Sequence, residues 1–107
     1  MYKKFLYLNF SKNIEFDMRK LIVKVKEIKG KCDIMKIGDY FILDGGKLII
    51  PEKNKHVCIY ALSSLLPLLP AKQRNIVEPE DWLPRTNLVE CPDPNGRVIW
   101  EISYLEE

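Results

Sequence analysis

Between residues 19 and 30 (RKLIVKVKEIKG), Leu21, Val23 and Val25 alternate with Ile22, Lys24 and Lys26. A two-residue period is that of a β-strand, here with one basic face. Lysines along a strand commonly guard an exposed edge against pairing with another chain, which predicts an edge position for this one. Gly38-Asp39 then opens a second strand, YFIL (40–43), and DGG (44–46) turns the chain into a third, KLII (47–50). Asp-Gly between β-formers is a strong hairpin signal, and Pro51 ends the third strand.

The period changes after Asn54, a candidate N-cap for a helix running from about Lys55. Cys58, Leu62, Leu65 and Leu69 are spaced i, i+4, i+7, i+11 and form one apolar stripe. Pro67 interrupts it, so the helix kinks there or stops near Leu65. Residues 71–85 are polar, contain Pro79 and Pro84, lack periodicity and read as a long loop anchored by Trp82. TNLVEC and RVIWEISYL form a C-terminal hairpin. In it Val98, Trp100 and Ile102 share one face, with Ile99, Glu101 and Ser103 on the other. The predicted fold class is α+β, with about five mostly antiparallel strands packed against one main Pro-kinked helix.

The chain has 107 residues, the size of one domain, and needs neither disulfides nor a metal merely to build a core. Its longest apolar run, 57–70, holds 14 residues with two prolines and two serines, too short for a bilayer span. The N-terminal segment has only a short apolar patch and no small-residue cleavage site, which predicts a cytoplasmic protein with reduced thiols. Residues 1–55 carry 13 Lys/Arg against 7 Asp/Glu, and residues 56–107 carry 4 against 8. Both halves interleave in one sheet, so this asymmetry does not build a basic surface, and nucleic acid is disfavoured as a partner. No phosphate-binding glycine loop, dinucleotide fingerprint, zinc-protease helix or paired carboxylates are present, so the chain leans away from an enzyme.

The order of short motifs resembles a family of small bacterial and archaeal proteins. The residues that carry the likeness are Gly30 and Cys32; Gly38, Asp39 and Phe41; and Cys58, Ala61 and Leu62. Trp82 follows, then Cys91, Pro92, Asp93 and Pro94, and last Val98, Trp100, Glu101 and Ile102. The likeness spans roughly residues 18–105. The family has no assigned activity, so the resemblance supplies a pattern rather than a function. A histidine usual a few residues after the first cysteine is missing here, with Met35 in that neighbourhood, and no ligand role carries over. The family's typical start near Met18 implies that residues 1–17 are an extension that packs little. Pairing of FLYLNF as an extra strand would count against this. The domain proper is then 18–107.

Cys32, Cys58 and Cys91 are separated by 26 and 33 residues, so no local Cys-x-x-Cys knuckle exists. A metal site has to be assembled by the fold: Cys32 after a strand, Cys58 at a helix start, Cys91 at a strand end. Three convergent cysteines would bind a soft transition metal such as zinc, or an Fe–S species, with His56 or Asp93 as a possible fourth ligand. The alternative is a non-catalytic protein-interaction module with the cysteines buried as small hydrophobes. Its contact surface would be Trp82, Trp100 and the loop 71–85. His56 is the chain's single histidine, with no Asp or Asn evident to orient it, which argues against a Cys–His catalytic pair. In CPDPNG, the prolines hold Cys91 and Asp93 extended, and Asn95-Gly96 offers positive φ angles for a turn. This explains everything except the thiol.

Overall fold

The computed structural model describes residues 18–53, 56–74 and 80–105. The 1–17 extension with its FLYLNF segment, the Asn54 cap at the predicted helix start and part of the 71–85 loop lie outside them. Five strands form one antiparallel sheet in the order β3-β2-β1-β5-β4. They are β1 (Leu21–Gly30), β2 (Tyr40–Asp44), β3 (Lys47–Ile49), β4 (Leu88–Glu90) and β5 (Gly96–Tyr104). Among the described residues, two short helices, α1 (Ile59–Ser63) and α2 (Leu69–Arg74), and a 3-10 turn, η1 (Leu83–Arg85), accompany the sheet. The α+β class is as expected.

β1 is the central strand, paired with β2 on one side and β5 on the other, not an edge. Its lysines point to the open face of the sheet, where glutamates answer them. Lys26 pairs with Glu101 at 3.8 Å, and Glu90 accepts Lys29 at 3.4 Å and Arg97 at 3.5 Å. A period of two reports which side of the strand is wet. It does not report whether the backbone has neighbours, because one face of a central antiparallel strand can also be solvated.

The β1–β5 register slips between Val25 and Glu27, leaving Lys26 as the extra residue of a bulge. Before it Leu21, Val23 and Val25 face the core, and after it Ile28 does. The turn Lys36–Asp39 docks beside the bulge. Val25 donates its N–H to Asp39 O at 2.8 Å and accepts that of Gly38 at 2.9 Å. Gly38 meets this geometry with φ 95°, a conformation most side chains resist.

On the covered face Trp100, Phe41, Leu21, Met35, Leu65 and Leu69 fill the core. Phe41 meets Trp100 edge-on, centroids 5.5 Å apart. The Trp100 indole N–H donates to Ala61 O at 3.0 Å and so fixes α1 to the sheet.

The predicted single helix is instead two short ones. Pro67 brings no N–H to the turn, and the Ser63 and Ser64 hydroxyls bond back to the Tyr60 and Ala61 carbonyls at 2.6 and 2.9 Å. Both effects loosen the helical ladder. The chain crosses 64–68 in turns before α2 resumes. The apolar stripe survives the break: Leu65 and Leu69 are buried, and Cys58 and Leu62 pack against the core. The segment 71–85 is likewise not wholly loop, since α2 runs to Arg74 and η1 occupies 83–85.

Two polar residues of α2 lock it in place. The Gln73 side-chain amide donates to Gly45 O in the β2–β3 turn at 2.9 Å, and its backbone carbonyl accepts the Arg19 N–H at 2.9 Å. The buried Lys72 ammonium donates to Leu83 O at 3.3 Å and to Asn87 Oδ1 at 3.1 Å. Burial holds this ammonium below the ordinary lysine value of 10.5. The unfolded chain therefore binds more protons between the lowered value and 10.5, so stability rises with pH across that window. Below the window the penalty is present in full. Lys72→Met should remove the alkaline rise, as measured by urea unfolding at successive pH values up to about 10.5. An unchanged pH profile would show that the ammonium keeps its solution behaviour.

The last β1–β5 pair is Gly30 with Gly96. Gly96 does not take the positive φ expected of it, the positive-φ glycines being Gly30, Gly38 and Gly45. Its need is space: a Cβ there would run into the backbone carbonyl of Lys31. A Cβ on Gly45 would meet nothing within 4 Å, though its φ of 61° is left-handed. Gly96→Ala should therefore cost about 3 kcal/mol, and Gly45→Ala about 1 kcal/mol. Equal losses in urea melts would mean that the strand ends at Gly96 part easily.

Candidate functional site

The Gly30–Gly96 contact sets the position of the site. Lys31 donates its N–H to Asn95 O at 3.0 Å, which lays the chain leaving β1 against the turn entering β5. Cys32 follows one residue later. Cys91 comes just after β4, its N–H bonded to Val98 O at 2.8 Å. Pro92 and Pro94 frame Asp93, whose Oδ1 accepts the Asn95 N–H at 2.9 Å. The loop after β1 and the CPDPNG turn thus share one end of the sheet.

Cys58 arrives from the other layer as the residue before α1, with no side-chain capping bond. Its backbone N–H donates to the buried Met35 Sδ at 3.3 Å, and the Met35 N–H donates to Cys32 Sγ at 3.4 Å. His56 Nε2 lies 3.1 Å from Ile34 O, the geometry of a ring N–H donating to that carbonyl, and joins the same two segments a second time.

These contacts bring all three cysteines of the chain to one cavity of about 410 Å³. The loop after β1 contributes Lys31, Cys32, Asp33 and Ile34 to its wall. The start of α1 contributes Cys58, Tyr60 and Ala61, and the C-terminal hairpin contributes Cys91, Pro92, Asp93, Gly96 and Val98. Cys91 is buried, whereas Cys32 and Cys58 are half-buried. All three are free thiols. Tyr60 and Ile34, largely exposed, stand toward solvent.

Sharing a cavity is not the same as chelating an ion. Among the described residues, no group of three or more His, Cys, Asp or Glu is placed to hold a metal ion. Of the possible fourth ligands, Asp93 lines the cavity with one oxygen already bonded to the turn. His56 is not part of the wall. The chain's single histidine therefore forms no Cys–His pair at the cavity wall.

Of the alternative contact residues, Trp82 is 58% exposed and Trp100 is wholly buried. Trp100 alternates into the core face of a strand and is no contact residue. Sequence reasoning missed Met35 as the link between Cys32 and Cys58, and Ile34 and Tyr60 as wall residues. A place two residues beyond a cysteine was the only signal either wall residue offered. No described helix is long and apolar enough to cross a membrane. No family model, curated protein or solved structure matches the chain.

The differing burial of the thiols should show in native labelling. A bulky disulfide reagent should modify Cys32 and Cys58 in the folded protein and Cys91, 5% exposed, only on unfolding. Prompt native labelling of Cys91 would mean the hairpin end opens readily.

Proposed function

We propose that this domain binds a soft transition-metal ion or Fe–S species through Cys32, Cys58 and Cys91. The observation that carries this reading is that three cysteines remote in sequence line one cavity. Cys91 is buried and tied to β5 through its N–H to Val98 O, so closing the ligand set would require the half-buried Cys32 and Cys58 to turn inward. Uptake is therefore coupled to local closure.

Thiols bind metals as thiolates, so uptake releases protons and weakens as pH falls. A ligand held only by the folded chain also raises the melting temperature with its concentration. Anaerobic titration with Zn²⁺ or Co²⁺ should give one ion per chain, proton release and a higher melting temperature, all lost in Cys91→Ser. Absence of stoichiometric binding by protein purified without oxygen or chelator would overturn the reading.

A second reading, a protein-interaction surface at Trp82, rests on the exposure of that indole. Trp82 caps η1, which Lys72 anchors through Leu83 O, so the ring is held out on an ordered turn. Trp82→Ala should leave metal uptake unchanged. A matching loss of uptake would place the ring in the site itself.

A further inference from the structure

We infer that the cavity, in its open form and without metal, admits a small zwitterion: an α-amino acid with an apolar side chain of about leucine size. At about 410 Å³ it falls in the range of cavities that take small organic molecules. Its wall changes character with depth. Ala61, Cys91 and Val98 are all buried and form the inner part. The Cys91 N–H is engaged by Val98 O, whereas its thiol has no hydrogen-bond partner among the described residues. A thiol is only a weak donor and acceptor and packs as a small hydrophobe. The inner wall therefore suits an aliphatic group.

The mouth is charged instead. Lys31, Asp33 and Asp93 belong to the wall and are exposed. Among the described residues the Lys31 ammonium and the Asp33 carboxylate have no partner. Asp93 uses one oxygen on the Asn95 N–H and keeps the other. A free cation and two carboxylates around an apolar hollow match a molecule with an apolar end and both charges at the other. Its ammonium faces Asp33 and Asp93, its carboxylate faces Lys31, and its side chain enters toward Ala61 and Val98. A plain fatty acid would set a carboxylate beside two others, and a plain amine would leave Lys31 facing a like charge. Such binding does not depend on the metal reading, because it needs the cavity open rather than closed around an ion.

The test is NMR titration of the isotope-labelled full-length protein, reduced and in excess chelator, with L-leucine as the probe. Saturable shifts of the Cys32, Cys91 and Val98 amides are expected. Isopentylamine lacks the carboxylate of leucine and isocaproate lacks its ammonium. Each should bind about fivefold more weakly, the size expected for a charge pair screened by water. Asp93→Asn keeps an oxygen for the Asn95 N–H and removes the charge. It should weaken leucine and isopentylamine but not isocaproate, and Lys31→Met should weaken leucine and isocaproate but not isopentylamine. The analogue series uses the unaltered chain and so gives an answer even if a variant misfolds. No saturable shift with leucine, shifts confined to another surface, or an analogue that binds as tightly as leucine would overturn the inference. Each would leave the metal reading standing. Absence of metal uptake by a chain that binds leucine would overturn the metal reading alone.

Discussion

The pairing of β1 with β5 is the constraint on which the rest of the domain depends. It is the longest ladder in the sheet, running from Leu21–Tyr104 to Gly30–Gly96. It places Trp100 opposite Val25 in the middle of the core, where the indole both fills space and reaches out to α1. At its far end two glycine backbones approach more closely than any side chain allows. That closeness lays the loop carrying Cys32 against the turn that follows Cys91. The position of the cavity is thus a consequence of strand register, and a register slip would disperse it.

The helical layer closes the cavity from the other side through two contacts of different kind. Trp100 to Ala61 is a buried hydrogen bond between layers, which sets how deeply α1 sits. Met35 to Cys58 is a weaker sulfur contact that sets where the chain enters α1. Breaking the helical segment at Pro67 lets α1 and α2 meet the sheet separately. α1 serves the cavity, while α2 fastens the β2–β3 turn through Gln73 and the turn at η1 through Lys72. The open face of the sheet carries crossed Lys, Arg and Glu pairs. They are exposed and contribute little to stability.

Strand identity and facing were legible in the sequence because alternation reports burial directly. The DGG hairpin was legible because its turn chemistry is local. The central position of β1 was not, since the lysines that suggested an edge describe a face. The helix break was only half legible: Pro67 marked it, but the back-bonding of Ser63 and Ser64 depends on side-chain rotamers. Gly96 looked like a turn residue beside Asn95, and its actual role, steric room for Lys31 O, is set by a strand far away in sequence. The cysteines were visible as candidates by residue type. That they share a cavity follows from the Gly30–Gly96 closure, which no spacing rule encodes.

Three thiols remote in sequence line one cavity, and the proposed function requires them to act as one ligand set. Trivalent arsenic tests it without presuming which metal is native, because arsenous acid condenses with three thiols and releases three waters. The measurement is native mass spectrometry of the reduced protein after arsenite treatment, followed by alkylation of any thiol left free. One arsenic per chain with Cys32, Cys58 and Cys91 all protected is the expected result. Alkylation of any one of the three in the arsenic-bound species would contradict it.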